Sequence, residues 1–189
     1  MNFHLMHFVL TGSSTGIGRA LAERLLSRGH CVWGLARSDQ ADFVARHAGN
    51  FRASRCDVGD WPQVARAAGE VAAALPHIDG LITCAGTLGE VGRALSTSPA
   101  RWSATIRANL DGTYHTLRAF NALLARAPGR AKVVCFSGGG ATKPRYSLSS
   151  QRAKRRPASF SSPVFASAEK MCGPAPWNTG TMRGSEKIG

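Results

Sequence analysis

Short apolar runs alternate with amphipathic stretches along most of the chain, and that alternation sets the fold expectation. Phe3, Leu5, Phe8, Val9 and Leu10 form an apolar run closed by the turn Thr11 to Gly16, the pattern of a buried first strand. A helix follows from about Ile17, where Ile17, Leu21 and Leu25 recur every four residues beside Leu26, and Gly29 supplies the stop. His30 to Ala36 reads as a second strand, Asp39 to His47 as a helix, Phe51 to Val58 as a third strand, and the Ala-rich stretch Pro62 to Leu75 as another helix. Ile78 to Cys84 is the fourth strand and Lys132 to Phe136 the fifth; between them one long helix, Pro99 to Ala127, carries Ile106, Leu110, Leu117, Leu123 and Leu124. Strands alternating with helices predict an α/β fold, a doubly wound parallel sheet with helices on both faces.

From Ser147 the pattern stops. The stretch SLSSQRAKRRPASFSSPVF is rich in Ser, Arg and Pro without a sustained apolar period, so residues 1–146 read as the folded domain and 147–189 as an irregular basic tail. At 189 residues and 43% hydrophobic content, one domain can fill its own core. The five cysteines, at 31, 56, 84, 135 and 172, form no CxxC pair and no metal-ligand spacing; four lie in predicted strands, which predicts reduced, buried thiols and a cytoplasmic protein. His4 and His7 point to opposite faces of a strand and make no metal pair, so no metal is expected. Met1 to Leu10 lacks a basic leader, and no window is long enough to span a bilayer.

The formal charge of +13 raises nucleic acid as a partner. The tail is the more basic part, with 7 Lys and Arg against 2 acids in residues 151–189. Its cluster Arg152, Lys154, Arg155 and Arg156 comes without interleaved aromatics or a binding motif, and a solvated run is the preferred reading.

The chemistry concentrates at the first turn. Gly12, Gly16 and Gly18 in TGSSTGIG join a strand to a helix, where glycines let backbone approach a pyrophosphate at the helix N-terminus. TGSSTGIG resembles the cofactor loop of the short-chain dehydrogenase/reductase family, and further motifs of that family recur in order between Phe8 and Pro144. The resemblance implies a Rossmann-type fold that binds NAD(P)(H), with Gly12, Ser14, Gly16, Ile17 and Gly18 around the phosphates. It implies that Asp57 and Val58 contact adenine and that Ala85 and Gly86 line the turn after the fourth strand, with Cys84 where Asn is usual. Asn109 matches the asparagine that positions a catalytic water, and Ser137 the serine that orients substrate. At the end of the second strand Ala36 stands where an acid would hold the ribose hydroxyls of NAD, and Arg37 with Ser38 beside it predicts NADP(H) preferred over NAD(H).

The family's proton donor is a Tyr followed four residues later by a Lys, and this chain has no such pair. Tyr114 lies in the long helix, Tyr146 is followed at that spacing by Ser150, and Lys154 stands eight residues on. Tyr146 and Lys154 are the nearest candidates. The leading expectation is an oxidoreductase acting on a carbonyl or secondary alcohol by hydride transfer; the alternative is a truncated or frame-shifted relative that binds the dinucleotide without turning over. The resemblance also implies association through the long helix, against which the divergent C-terminal part argues.

Overall fold

The computed structural model describes residues 5–90 and 96–136. Five strands, β1 (His7–Thr11), β2 (Cys31–Ala36), β3 (Phe51–Arg55), β4 (Gly80–Thr83) and β5 (Lys132–Cys135), form one parallel sheet in the order β3-β2-β1-β4-β5. Helices α1 (Gly16–Leu26), α2 (Ala41–Arg46), α3 (Trp61–Ala74), α4 (Pro99–Ile106) and α5 (Gly112–Ala125) fill the crossovers. This is the doubly wound Rossmann-like sheet expected. The expected boundary at 146 and the tail 147–189 fall outside the described residues. No helix among the described residues is long and apolar enough to cross a membrane.

The two faces of the sheet divide the core. Val9, Trp33, Leu35 and Leu81 point to one face, where Val64, Ala67, Ala68 and Val71 of α3 and Phe120, Leu123 and Leu124 of α5 cover them. Their chain neighbours Leu10, Val32 and Ile82 point to the other face, against Ala22 and Leu26 of α1 and Phe43 of α2. Alternate residues buried on opposite faces explain why the strands read as continuous apolar runs. Each fully buried side chain of this size contributes roughly 1.5–3 kcal/mol. Helix α3 starts where the sequence puts it: the Asp60 side chain accepts from Gln63 N at 3.3 Å, with Pro62 in the first turn.

Three expectations are corrected. In α1 the buried stripe is Gly18, Ala22 and Leu26, while Ile17 is 62% exposed and Leu21 and Leu25 are half-buried. Gly18 fixes that rotation, because a Cβ on it would collide with the Gly12 carbonyl oxygen; the helix turns its small residues to the sheet. The long helix is interrupted by a π-helical turn, Arg107–Asp111. Through this turn the buried residues are Thr105, Asn109, Gly112, Thr116 and Phe120, while the expected Ile106, Leu110 and Leu117 are only half-buried. None of the four described cysteines is in a disulfide, and only Cys56 is buried; Cys31 and Cys84 are half-buried and Cys135 is exposed on β5.

Candidate functional site

All five strands run parallel, so their C-terminal ends share one edge. The registers Thr11 with Leu35, Thr11 with Thr83, Ala36 with Arg55 and Thr83 with Cys135 hold those ends level. Strand order reverses between β1 and β4, so the loops after these two strands leave toward opposite faces and open a crevice between them, the place where sheets of this kind bind ligands.

The glycine loop forms one wall. Gly12 adopts φ 75°, and a Cβ there would stand 2.8 Å from the Ala85 backbone, so the loop presses directly on the turn after β4. Gly16, at φ 56° with open space around it, is required by backbone conformation rather than by room. Helix α1 begins at this residue. Its N-cap Thr15 makes no side-chain cap hydrogen bond and its first turn holds no acid, so among the described residues the N–H groups at the positive end of the helix are left without a capping side chain. That arrangement suits an anion.

Three residues that the sequence reading passed over tie this loop down. Thr11 Oγ1 accepts from Cys84 N at 3.1 Å and from Ala85 N at 3.0 Å, bridging the ends of β1 and β4. Its signal was a hydroxyl closing an otherwise apolar run. Ser13 Oγ donates to Gln40 Oε1 at 2.8 Å, both side chains buried, and links the glycine loop to the β2–α2 turn. Gly34 leaves room for this pair, since a Cβ on it would strike Ser13 and Phe51. Neither Ser13 nor Gln40 carries a pattern that a one-dimensional reading detects.

The remaining candidates lie around the same edge. Ser14 is half-buried, Ile17 exposed, Ala36 buried, and Arg37 and Ser38 exposed at the end of β2. The adjacent Asp39 accepts through Oδ1 from Ala41 N at 3.0 Å and so caps the start of α2, while Arg37 has no carboxylate within ion-pair distance among the described residues. Asp57 follows β3; its Oδ1 accepts from Gly59 N at 2.9 Å and its own N–H donates to Gln63 Oε1 at 3.0 Å, which orders the turn. The Val58 side chain is buried against Gly112, and its carbonyl meets His115 Nδ1 at 2.9 Å, so only its remaining backbone is free for a ligand. Ala85 is half-buried and Gly86 exposed.

Asn109 sits in the π-helical turn, 3% exposed. Its Nδ2 donates to Thr87 O at 2.8 Å and its Oδ1 accepts from Thr87 N at 2.8 Å, so the amide clamps the loop that follows Ala85 and Gly86. The side chain thus reaches from the π-helical turn to the loop that follows β4. Ser137, Tyr146 and Lys154 lie outside the described residues. No group of three His, Cys, Asp or Glu is placed to share a metal ion among the described residues. Beside Asp57, burial and the Asp57 carboxylate push the Cys56 thiol up to about 11, which keeps it protonated at neutral pH.

Comparison with known proteins agrees with this geometry. A family model described as short chain dehydrogenase matches residues 6–150. Over 130 residues the chain is 31% identical to a D-threitol dehydrogenase of Mycolicibacterium smegmatis, covering 66% of this chain and 50% of that protein. It is 31% identical over 125 residues to a short chain dehydrogenase of Aspergillus terreus, covering 62% of this chain and 27% of the relative. The chain thus spans half or less of these curated relatives. Among solved structures, a short-chain dehydrogenase from Streptomyces avermitilis superposes with a TM-score of 0.77 at 26% identity, over 91% of this chain and 63% of that one.

Proposed function

The chain belongs to the short-chain dehydrogenase family, whose members use NAD(P) dinucleotides, and on that premise we propose an oxidoreductase that binds NADP(H) in preference to NAD(H) and acts on a carbonyl or secondary alcohol. The carrying observation is the end of β2. Ala36 is buried and presents no acid to a ribose hydroxyl pair, Asp39 is engaged at the start of α2, and Arg37 stands exposed without an acidic partner among the described residues. A guanidinium so placed favours a phosphorylated ribose over a free one.

The residues present fit the dinucleotide. Gly12, Gly16 and Gly18 with Ser14 and Ile17 surround the uncapped start of α1 and would hold the pyrophosphate. Arg37 and Ser38 would take the 2′-phosphate, Asp57 and Val58 the adenine, and Ala85 and Gly86 the sugar beyond it. A bound nicotinamide supplies the hydride acceptor or donor. Asn109 holds the loop after Gly86 in position, Ser137 orients the substrate, and Tyr146 and Lys154 are the candidates for proton exchange and its support. A relative named for D-threitol supports a small alcohol as the substrate class. Cysteines outside any disulfide at positions Cys31, Cys56 and Cys135 support a reducing compartment, the cytoplasm.

Fluorescence titration with NADPH and NADH, beside a panel of carbonyl and alcohol substrates, tests the proposal. Tighter NADPH binding with substrate-dependent oxidation is the expected result, and Tyr146→Phe should then abolish the turnover. Equal affinity for the two cofactors would remove the NADP preference; cofactor binding without turnover on any substrate would reduce the protein to a dinucleotide binder.

A further inference from the structure

The end of β3 carries a second arginine that has no acidic partner among the described residues. Ala36 and Arg55 are partners in the β2–β3 register, so Arg55 stands level with the strand end from which Arg37 emerges. Arg55 is exposed, and its Nε donates to the Arg37 carbonyl oxygen at 3.0 Å. That bond lays the Arg55 side chain across the start of the β2–α2 turn and uses only one of its five N–H groups. Neither arginine has a carboxylate within ion-pair distance among the described residues. The nearby acids are otherwise engaged: Asp39 caps α2, Asp42 pairs with Arg19 and Arg46, and Asp57 closes its own turn on Gly59.

Two arginines without an acidic partner among the described residues, one at the end of β2 and one bonded to its backbone, offer charge-assisted donors to a dianion bound at that edge. A charged residue on an end strand also discourages edge pairing, and Arg52 on the same strand meets that need while lying over the Trp33 ring at 5.5 Å. Arg55 differs from Arg52 in crossing to the neighbouring loop.

We propose that Arg55 is the second guanidinium of a 2′-phosphate clamp, set in place by its hydrogen bond to the Arg37 carbonyl and acting with Arg37 to select NADP(H). The inference rests on the cofactor reading above and adds a specificity-determining residue that lies outside the glycine loop and the β2–α2 turn. The β2 end supplies one arm of the clamp and the β3 end the other, so the phosphate is gripped from two strands.

The test is equilibrium titration of the full chain and its Arg37→Ala, Arg55→Gln, Arg55→Lys and Arg52→Gln variants with NADPH and, separately, NADH, each variant first checked by circular dichroism. Arg55→Gln should weaken NADPH about 5- to 10-fold and leave NADH unchanged, since only NADPH offers a phosphate. Arg55→Lys, which keeps the charge, should retain the greater part of the selectivity, and Arg52→Gln should change neither affinity. If Arg55→Gln weakens both cofactors alike, or neither, while Arg37→Ala weakens NADPH alone, Arg55 only supports the loop and the clamp is overturned with the cofactor reading intact. If the unmodified chain binds both cofactors equally and no variant alters their ratio, the NADP(H) reading itself falls and the clamp with it.

Discussion

Replacing Asn109 with Ala should loosen the crevice from one side without touching the glycine loop. The substitution removes two hydrogen bonds of 2.8 Å to the Thr87 backbone, each worth about 1 kcal/mol net. Thr87 is exposed, so its N–H and C=O regain water rather than being left buried and unpaired. Ala is also the better helix former by roughly 0.5 kcal/mol, which offsets part of the loss. The expected destabilisation is therefore about 1–2 kcal/mol, a fall in Tm of roughly 2–8 °C for a chain of this size. Amide exchange at Thr87 should accelerate, and dinucleotide affinity should drop as the turn at Ala85 and Gly86 loses its anchor. Asn109→Asp separates geometry from volume: an ionised carboxylate can accept from Thr87 N but has no proton for Thr87 O, so it should cost at least as much as Ala. Calorimetry and hydrogen exchange on the three proteins decide the matter. An unchanged Tm with unaltered Thr87 protection would refute the clamp.

Thr11→Val should weaken both stability and cofactor binding by removing the acceptor for Cys84 N and Ala85 N, whereas Thr11→Ser should restore most of the loss; equal behaviour of the two variants in thermal melts would contradict the role of the hydroxyl. Gly18→Ala forces a Cβ against the Gly12 carbonyl, and since both partners are backbone the strain should cost about 1–3 kcal/mol and abolish NADPH binding, read by denaturant titration and fluorescence. Among the described thiols, iodoacetamide at neutral pH should label exposed Cys135 first and leave Cys56 unmodified, as peptide mass spectrometry will show. Hydrogen bonding from Arg46, opposed by desolvation and aided by Arg19, lowers the Asp42 pKa below its ordinary 3.8; the small stabilisation this gives is present above that value and is lost as pH falls through the lowered midpoint. An NMR titration in which Arg46→Gln leaves the Asp42 midpoint unmoved would exclude that cause.

The parallel sheet and its glycine corner follow from features legible along the chain, whereas the order β3-β2-β1-β4-β5 came from the structure. Apolar runs such as Phe8 to Leu10 are continuous because a parallel sheet buries both faces, and TGSSTGIG marks the strand-to-helix corner because only glycine tolerates φ 75° at Gly12 and the contact of Gly18 with the Gly12 carbonyl. Arg37 and Ala36 were readable for the same reason, since their distance from the glycines along one βαβ unit sets their place in space. What the linear pattern missed depends on partners distant in the chain. Hydrophobic spacing gave no sign of the π-helical turn, and it missed that the polar or small residues Asn109, Gly112 and Thr116 hold the buried stripe while Ile106, Leu110 and Leu117 lie beside it. Thr11, Ser13 and Gln40 became visible only when β1, β2 and β4 were brought side by side, because their bonds join residues 27 to 74 positions apart. By itself, then, the sequence determined the sheet, the glycine corner and the residues at each strand end, all consequences of local backbone sterics and periodic burial. Tertiary structure alone decided which polar side chains lock the loops to one another and that Arg55 lies against Arg37, because those contacts exist only where separate strand ends meet at one edge.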